Sequence, residues 1–252
     1  MSSPAVLDDW ALADRVVIVT GASSGIGAAT ARALFAAGAH PVLVARRADR
    51  LVKLSSELGG ALHVVADLCD ASGVRRVVTE TLARHGRIDA LVNNAGVSFH
   101  HRLDTVDLDE FERVLAINVV AVVAMTQAVV PHLRAGGGGR IVNVSSGTTR
   151  MVPIGIGAYS AAKSAVNMLS AVARAELAGD GIVVSVVLPS VTAGEFGGGQ
   201  YQLGAEPVPG LVVHSAEYAA SYVMEALVTG AAMVDVPHGK PHDSSARAHA
   251  VE

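Results

Sequence analysis

The sequence predicts an α/β fold, a doubly wound parallel sheet of about seven strands with helices on both faces. Three observations predict it. Short β-branched runs alternate with longer helical patterns along most of the chain, and strand–helix–strand repeated this often builds a parallel sheet with right-handed crossovers. Most of the strand runs are continuously apolar rather than alternating, as strands buried on both faces are. The 252 residues are 51% hydrophobic with only 4% aromatics, so the core must be built from Ala, Val, Leu and Ile.

The strands are expected at 15–20 (RVVIVT), 41–45 (PVLVA), 61–66 (ALHVVA), 88–94 (IDALVNN), 140–145 (RIVNVS), 182–188 (IVVSVVL) and 232–236 (AMVDV). Helical patterns fall at about 25–37, 48–58, 71–85, 108–134, 158–178 and 215–229. Gly38, Gly59 and Gly86 follow the first three helices, where a left-handed residue commonly ends a helix. Asp70 is expected to cap the third. No linker splits residues 1–236, which read as one domain. Within it 191–214 is a lid candidate. Its centre, 193–210, is rich in Gly and Pro without a period, so it is either a lid or a floppy loop. The polar stretch 237–252 is expected to be a disordered tail.

Composition excludes several classes. A net charge of −4 and a pI near 6.2 offer no basic surface for nucleic acid. Cys69 is the single cysteine, so no internal disulfide can form, which fits a reducing compartment. The most apolar stretch, 114–131, is interrupted by Asn118, Thr126 and Gln127, short of the ~18 apolar residues that spanning a membrane needs. The first residues carry Asp8, Asp9 and Asp14 and no basic region, unlike a signal peptide. A cytoplasmic protein is expected. No His, Cys or Asp grouping has metal-ligand spacing, so no metal is expected.

The first strand runs straight into TGASSGIG, residues 20–27. Gly21, Gly25 and Gly27 permit a tight strand-to-helix turn, and the free N–H groups of the helix start then face an anion. This is the phosphate cradle of a Rossmann-like fold, with the strand before it and the helix after it. The second strand ends in ALA-type rather than acidic chemistry: Ala45 is followed by Arg46 and Arg47. A carboxylate there would bind a ribose 2′-hydroxyl and repel a 2′-phosphate, whereas arginine forms charge-assisted bonds to the phosphate. NADP(H) is therefore expected over NAD(H). Arg46 sits at the separation from the cradle that the fingerprint expects; Arg47 reads equally well as a solvated helix-start residue.

Further motifs follow in order: ADL (66–68), NNAG (93–96), IN (117–118), IVNVSS (141–146) and YSAAK (159–163). Together with the cradle they make the chain resemble the short-chain dehydrogenase/reductase family in its compact single-domain form, from about residue 13 to 190. The resemblance implies an oxidoreductase that moves a hydride between nicotinamide and a ketone or secondary alcohol. It casts Asn118 as holder of a relay water, Ser146 as ligand of the substrate oxygen, Tyr159 as general acid or base, and Lys163 as the group that holds the nicotinamide ribose and lowers the tyrosine pKa. It places cofactor contacts at Gly21, Ser23, Ser24, Gly25, Ile26 and Gly27 of the cradle, and at Arg46 and Arg47. Asp67 and Leu68 would meet the adenine; Asn93, Asn94, Ala95 and Gly96 would shape the floor; Tyr159, Lys163, Pro189, Val191 and Thr192 would complete the site. Independently, Ser145 and Ser146 are adjacent on a strand and point to opposite faces, so only one of them should reach the substrate. Tyr159 and Lys163 share a helix face at i and i+4.

The chain departs from the family pattern twice. Ser190 stands where Gly commonly follows Pro189, and Gly194 where a carboxamide-binding Thr is common, leaving Thr192 as a substitute. The end of the chain also lacks the usual subunit-contact sequence. The substrate pocket is expected from Val97, Phe99, Thr148, Val152 and Phe196, a mostly apolar set that suits a small carbonyl or alcohol with an apolar body. His100 and His101 could serve its rim or be solvated. The helices at 108–134 and 158–178 are apolar on more than one face, so a homodimer or homotetramer is expected through them. The competing class is a non-catalytic NADP(H)-binding sensor on the same fold; an epimerase or dehydratase with the same Tyr–Lys pair is a third. A sensor has no need of all four of Asn118, Ser146, Tyr159 and Lys163.

Overall fold

The computed structural model describes residues 10–199, 201–205, 207 and 210–239. Seven parallel strands form one sheet: β1 (Val16–Thr20), β2 (His40–Ala45), β3 (His63–Val65), β4 (Ala90–Asn93), β5 (Gly139–Val144), β6 (Ile182–Leu188) and β7 (Met233–Asp235). Their order is β3-β2-β1-β4-β5-β6-β7. The helices are α1 (Gly25–Ala36), α2 (Ala48–Glu57), α3 (Ala71–His85), α4 (Leu108–Leu115), α5 (Ala121–Ala135), α6 (Gly157–Leu177) and α7 (Ala216–Thr229).

The alternation of side chains along the strands sorts the core into two layers. Val17, Val19, Leu43, Val92 and Val142 face α1, α2 and α7, where Leu34, Leu51, Leu54 and Leu227 cover them. Val16, Ile18, Val42, Val44, Leu91 and Ile141 face α3 and α5, covered by Val74, Val77, Met125, Val129 and Leu133. The helix ends follow local chemistry. Asp70 accepts a hydrogen bond from the Ser72 N–H at the start of α3, and Gly86 closes that helix in the left-handed region.

The single helix expected over 108–134 is α4 and α5 joined through a π-helical turn, 116–120, and it runs on to Ala135. By length and composition the run Leu108–Ala135 would suffice to cross a membrane, although no uninterrupted apolar stretch of it is that long. In this fold one face of it is buried, with Ala121, Met125, Val129, Val130 and Leu133 packed against the sheet and α3, while Leu108 and Val120 are exposed.

The segment 191–214 is anchored at its base. Ala193 N–H donates to His214 O and His214 N–H to Val191 O, at 2.8 and 2.9 Å. The expected tail begins inside the domain, because Val212 N–H donates to His238 O at 2.9 Å. Residues 240–252 of that tail lie outside the described residues.

The chain from β1 turns to one side of the sheet and the chain from β4 to the other, so a crevice opens between their ends. Thr20 holds the two together. Its hydroxyl accepts from the N–H groups of Asn94 and Ala95, at 2.9 and 3.0 Å, and donates to Val92 O. Asn94 Nδ2 donates back to Thr20 O at 2.9 Å. Thr20→Val keeps the shape and leaves two N–H groups without a partner, so it should cost about 1–3 kcal/mol. Denaturant unfolding measures this; a loss well under 1 kcal/mol would mean that water replaces the hydroxyl.

Candidate active site

A cleft of about 680 Å³ lies along the carboxyl ends of β1, β2, β4, β5 and β6. At one end is the start of α1. Ser24, the residue before the helix, makes no side-chain cap, so the first N–H groups of α1 are left facing the cleft. Gly25 has φ +53°, and a side chain built there would meet nothing within 4 Å, which leaves its backbone open to a ligand. Gly27 is the reverse: a Cβ would fall 2.5 Å from Asn94 Nδ2 and collide with Gly21 O. The glycine at 27 thus lets α1 pack close against the β4 loop, and the one at 25 leaves the cradle open. These features fit a pyrophosphate.

The two arginines after β2 both line this end of the cleft. Arg47 is the more tightly placed. Its guanidinium donates to Ser23 Oγ (2.9 and 3.1 Å), Ser24 Oγ (2.7 Å) and Glu195 Oε2 (2.5 Å). Asp67 lines the cleft and its carboxylate also accepts from Cys69 N–H at 2.9 Å, shaping its own turn.

The other end carries the tyrosine and the lysine. Tyr159 and Lys163 lie one turn apart on α6, both buried, with the lysine 4% exposed. Phe99, Val114, Ala158 and Ala162 pack around the tyrosine. Burial pushes the phenol up to about 12, opposed by a hydrogen bond from Ser146. Burial pulls the Lys163 ammonium down to about 8. Lys163 Nζ donates to Val144 O at 2.9 Å and sits 6.0 Å from the centre of the Tyr159 ring. Burial raises the phenol and only Ser146 opposes it, so the lowering by Lys163 that the resemblance implies is not among the causes acting here.

Ser145 and Ser146 do divide. Ser145 Oγ donates to Lys163 O at 3.1 Å, which ties β5 to α6. Both serines line the cleft, but Ser146 Oγ accepts from Thr148 N–H (3.2 Å) and Thr148 Oγ1 (3.0 Å) and hydrogen-bonds the Tyr159 phenol. Behind the site, Asn93, Asn143 and Ser170 form a buried chain of hydrogen bonds at 2.9 and 2.8 Å, which fixes β4, β5 and α6 relative to one another.

Not every expected residue reaches the cleft. Phe99 is buried behind Tyr159, because it points into the cluster under α6. Val152 is 99% exposed and projects away. Asn118 is fully buried, and both ends of its amide are taken by Val97, at 3.0 Å from the N–H and 2.9 Å to the carbonyl. Its side chain braces the loop after β4. Gly27 is buried against the β4 loop. Val97, Thr148 and Phe196 do line the cleft, as do Ser23, Ser24, Ile26, Leu68, Ala95, Gly96, Pro189, Val191 and Thr192. Phe196, from the lid candidate, lies with its ring 5.9 Å from that of Tyr159.

Ile154, Leu211, Glu195 and His238 are among the lining residues that the sequence alone did not point to. Glu195 reaches Arg47 from 148 positions away. His238 lines the cleft, with Nδ1 3.1 Å from Ser190 Oγ. Ser190 was visible as a departure at a glycine position; nothing in the sequence pointed to its partner. Among the described residues no three His, Cys, Asp or Glu side chains come together as a metal-binding group.

A parallel sheet with an uncapped, glycine-built helix start at its crevice defines a dinucleotide-binding α/β protein. The short chain dehydrogenase family profile matches residues 15–201. The chain belongs to this family of NAD(P)-dependent oxidoreductases. It is 37% identical to D-threitol dehydrogenase of Mycolicibacterium smegmatis over 193 residues, 75% of this chain and 74% of that one. A gluconate 5-dehydrogenase from Burkholderia cenocepacia J2315, solved with NADP and tartrate, superposes with a TM-score of 0.81 at 28% identity, covering 92% of this chain and 97% of that one. A 3-ketoacyl-(acyl-carrier-protein) reductase from Brucella melitensis, solved with NADH, gives 0.84 at 27% identity, covering 91% and 99%. The chain spans from 15% to 84% of the length of the curated relatives it matches.

The shifted groups make stability depend on pH. Lys163 sheds its proton near 8 in the folded protein, while the unfolded chain holds it to about 10.5. The unfolded state then binds more protons, so stability should rise between those values, by at most about 1.4 kcal/mol per pH unit. Tyr159 keeps its proton to about 12 while the unfolded chain loses it near 10, so stability should fall over that window. Unfolding curves recorded from pH 7 to 12 should show the rise vanish in Lys163→Met and the fall soften in Tyr159→Phe. A rise that survives Lys163→Met belongs to another group.

Proposed function

We propose that this protein is an NADP(H)-dependent oxidoreductase acting between a ketone and a secondary alcohol, with Tyr159 as general acid or base. The observation that carries this reading is the meeting of Ser146, Tyr159 and Lys163 in one cleft with the open start of α1. The nicotinamide supplies the hydride when bound. The chain supplies the proton and the polarisation. In reduction the Tyr159 phenol gives its proton to the substrate oxygen, and a neutral phenol suits that role because burial holds the proton on it. Ser146, with two acceptor positions filled by Thr148, would offer a hydrogen bond to the same oxygen, where charge develops, without giving up its proton. Lys163, fixed through Val144 O, keeps its ammonium on the tyrosine's side of the helix, where it would hold the ribose hydroxyls. In oxidation Tyr159 would take the proton from the alcohol, and the nearby Lys163 ammonium would favour the phenolate that burial disfavours.

The cradle residues Gly21, Ser23, Ser24, Gly25, Ile26 and Gly27 are assigned to the pyrophosphate side. Asp67, Leu68, Asn94, Ala95 and Gly96 are assigned to the adenosine side, and Pro189, Val191 and Thr192 to the nicotinamide side. NADP(H) preference rests on Arg46 and Arg47 after an unacidic β2 end; relatives have been solved with either NADP or NADH. Relatives are named for threitol and gluconate, both rich in hydroxyls. Here Val97, Met151, Ile154, Phe196 and Leu211 line the substrate end, which favours an apolar body. Val120, Met168 and Val172, on the outward faces of the π-helical turn and α6, are exposed apolar residues, which supports pairing with a second copy through these helices. A single domain in the cytoplasm remains the reading of the chain's place and build.

Tyr159→Phe should lower turnover over a ketone panel by ~10²–10⁴-fold while leaving NADPH affinity nearly unchanged. Retained activity sinks the acid–base assignment, and tight NADPH binding with no turnover by the unaltered protein would favour the sensor. Light scattering at micromolar concentration should give a dimer or tetramer, and Met168→Glu should shift it toward monomer. A monomer throughout removes the pairing.

A further inference from the structure

The feature that neither the family motifs nor the proposed chemistry uses is Glu195. It stands in the segment 191–214, far in sequence from the cradle, and its carboxylate is held by two guanidinium groups. Arg47 reaches Oε2 at 2.5 Å and Arg50 reaches Oε1 at 3.0 Å. Arg47 is itself fixed on the cradle by Ser23 and Ser24, which take its Nε and one terminal nitrogen. The remaining terminal nitrogen is the one that points to Glu195. The two arginines hold the Glu195 carboxyl below its ordinary range, so it is an anion at neutral pH.

An oriented arginine beside the phosphate cradle has the fork geometry that suits a phosphate oxygen. In this structure that edge of the fork carries a carboxylate from the lid candidate. We propose that Glu195 is a cofactor-discriminating residue, an internal anion that must leave Arg47 before a ribose 2′-phosphate can take its place. This rests on the reading of Arg46 and Arg47 as the 2′-phosphate side of the cleft. The consequence is directional. A cofactor with a 2′-hydroxyl leaves the Glu195–Arg47–Arg50 cluster intact and gains nothing by breaking it. A cofactor with a 2′-phosphate takes the Arg47 edge and displaces Glu195 from it. Glu195 thus lowers the preference for the phosphorylated cofactor below what the arginines alone would give.

The pair is partly exposed, with side chains about half accessible, so the effect is modest. Exposed ion pairs contribute little each, and two of them plus the removed like-charge repulsion correspond to about three- to tenfold in affinity. The test uses adenosine 2′,5′-bisphosphate and adenosine 5′-monophosphate, which differ by the 2′-phosphate and lack the nicotinamide, titrated by calorimetry into the full chain. Glu195→Gln should bind the bisphosphate about three- to tenfold tighter and the monophosphate within about twofold of the unaltered protein. An unchanged bisphosphate affinity overturns the proposal. Equal tightening of both ligands overturns it too, because that would be a general opening of the cleft. Arg46→Ala and Arg47→Ala separate the two readings. If they lower the bisphosphate affinity while Glu195→Gln does nothing, only the role of Glu195 is wrong. If neither arginine variant changes the preference between the ligands, the 2′-phosphate assignment falls, and the proposal with it.

Discussion

The cleft depends on what happens where β1 and β4 part. Two neighbouring parallel strands end side by side, and their chains leave to opposite faces of the sheet. Backbone groups at such a parting lose the ladder that served them along the strand, and unpaired N–H groups in a half-buried place are costly. Thr20 resolves this with one hydroxyl, which serves Asn94, Ala95 and Val92 together. Asn94 then returns a bond to the β1 end. The cradle on one side and the loop that Asn118 braces on the other are both referred to this junction. A binding crevice is what remains once the junction is satisfied.

A second constraint acts at the far end, where charge is held out of water. Placing Lys163 and Tyr159 in an apolar surround opposes ionisation of both, and the surround is made by residues with no chemistry of their own, such as Val114 and Ala162. Packing, and for the tyrosine one hydrogen bond, sets protonation there. The Ser145 bond to Lys163 O and the Asn93–Asn143–Ser170 chain hold the helix that carries both groups. These bonds hold α6 against β5 and limit how far the two reactive side chains can drift.

Strands, helices and cradle were legible because each rests on local chemistry. A continuous run such as IVVSVVL has one stable environment, the middle of a parallel sheet, and Gly86 or Asp70 marks a helix end by its own conformational preference. Pocket residues were legible only to the segment. Phe99 and Val152 stand on loops that do border the cleft, but one turns under α6 and the other out to solvent, and no periodicity fixes a loop side chain. Asn118 was picked out by its motif, and its bonds to Val97 on the loop after β4 are what only the fold could show. Between two adjacent arginines the sequence favoured Arg46 by spacing; the folded chain gives Arg47 the bonds to the cradle. Glu195 and His238 were invisible because their partners are remote in sequence and their own neighbours carry no pattern.

The π-helical turn at 116–120 has a consequence of its own. Such a turn closes its hydrogen bonds at i→i+5, so it holds one residue more than an α-helical turn does. Removing a single residue there would let α4 and α5 join as one regular helix, a locally more comfortable state. The same deletion would swing every later or earlier side chain by roughly 100° about the axis. Asn118 would leave Val97, or else Met125, Val129 and Leu133 would leave the sheet. The surplus residue is therefore a phase adjuster: it lets one continuous rod face a loop with its first half and a core with its second, two demands whose angular settings do not otherwise agree.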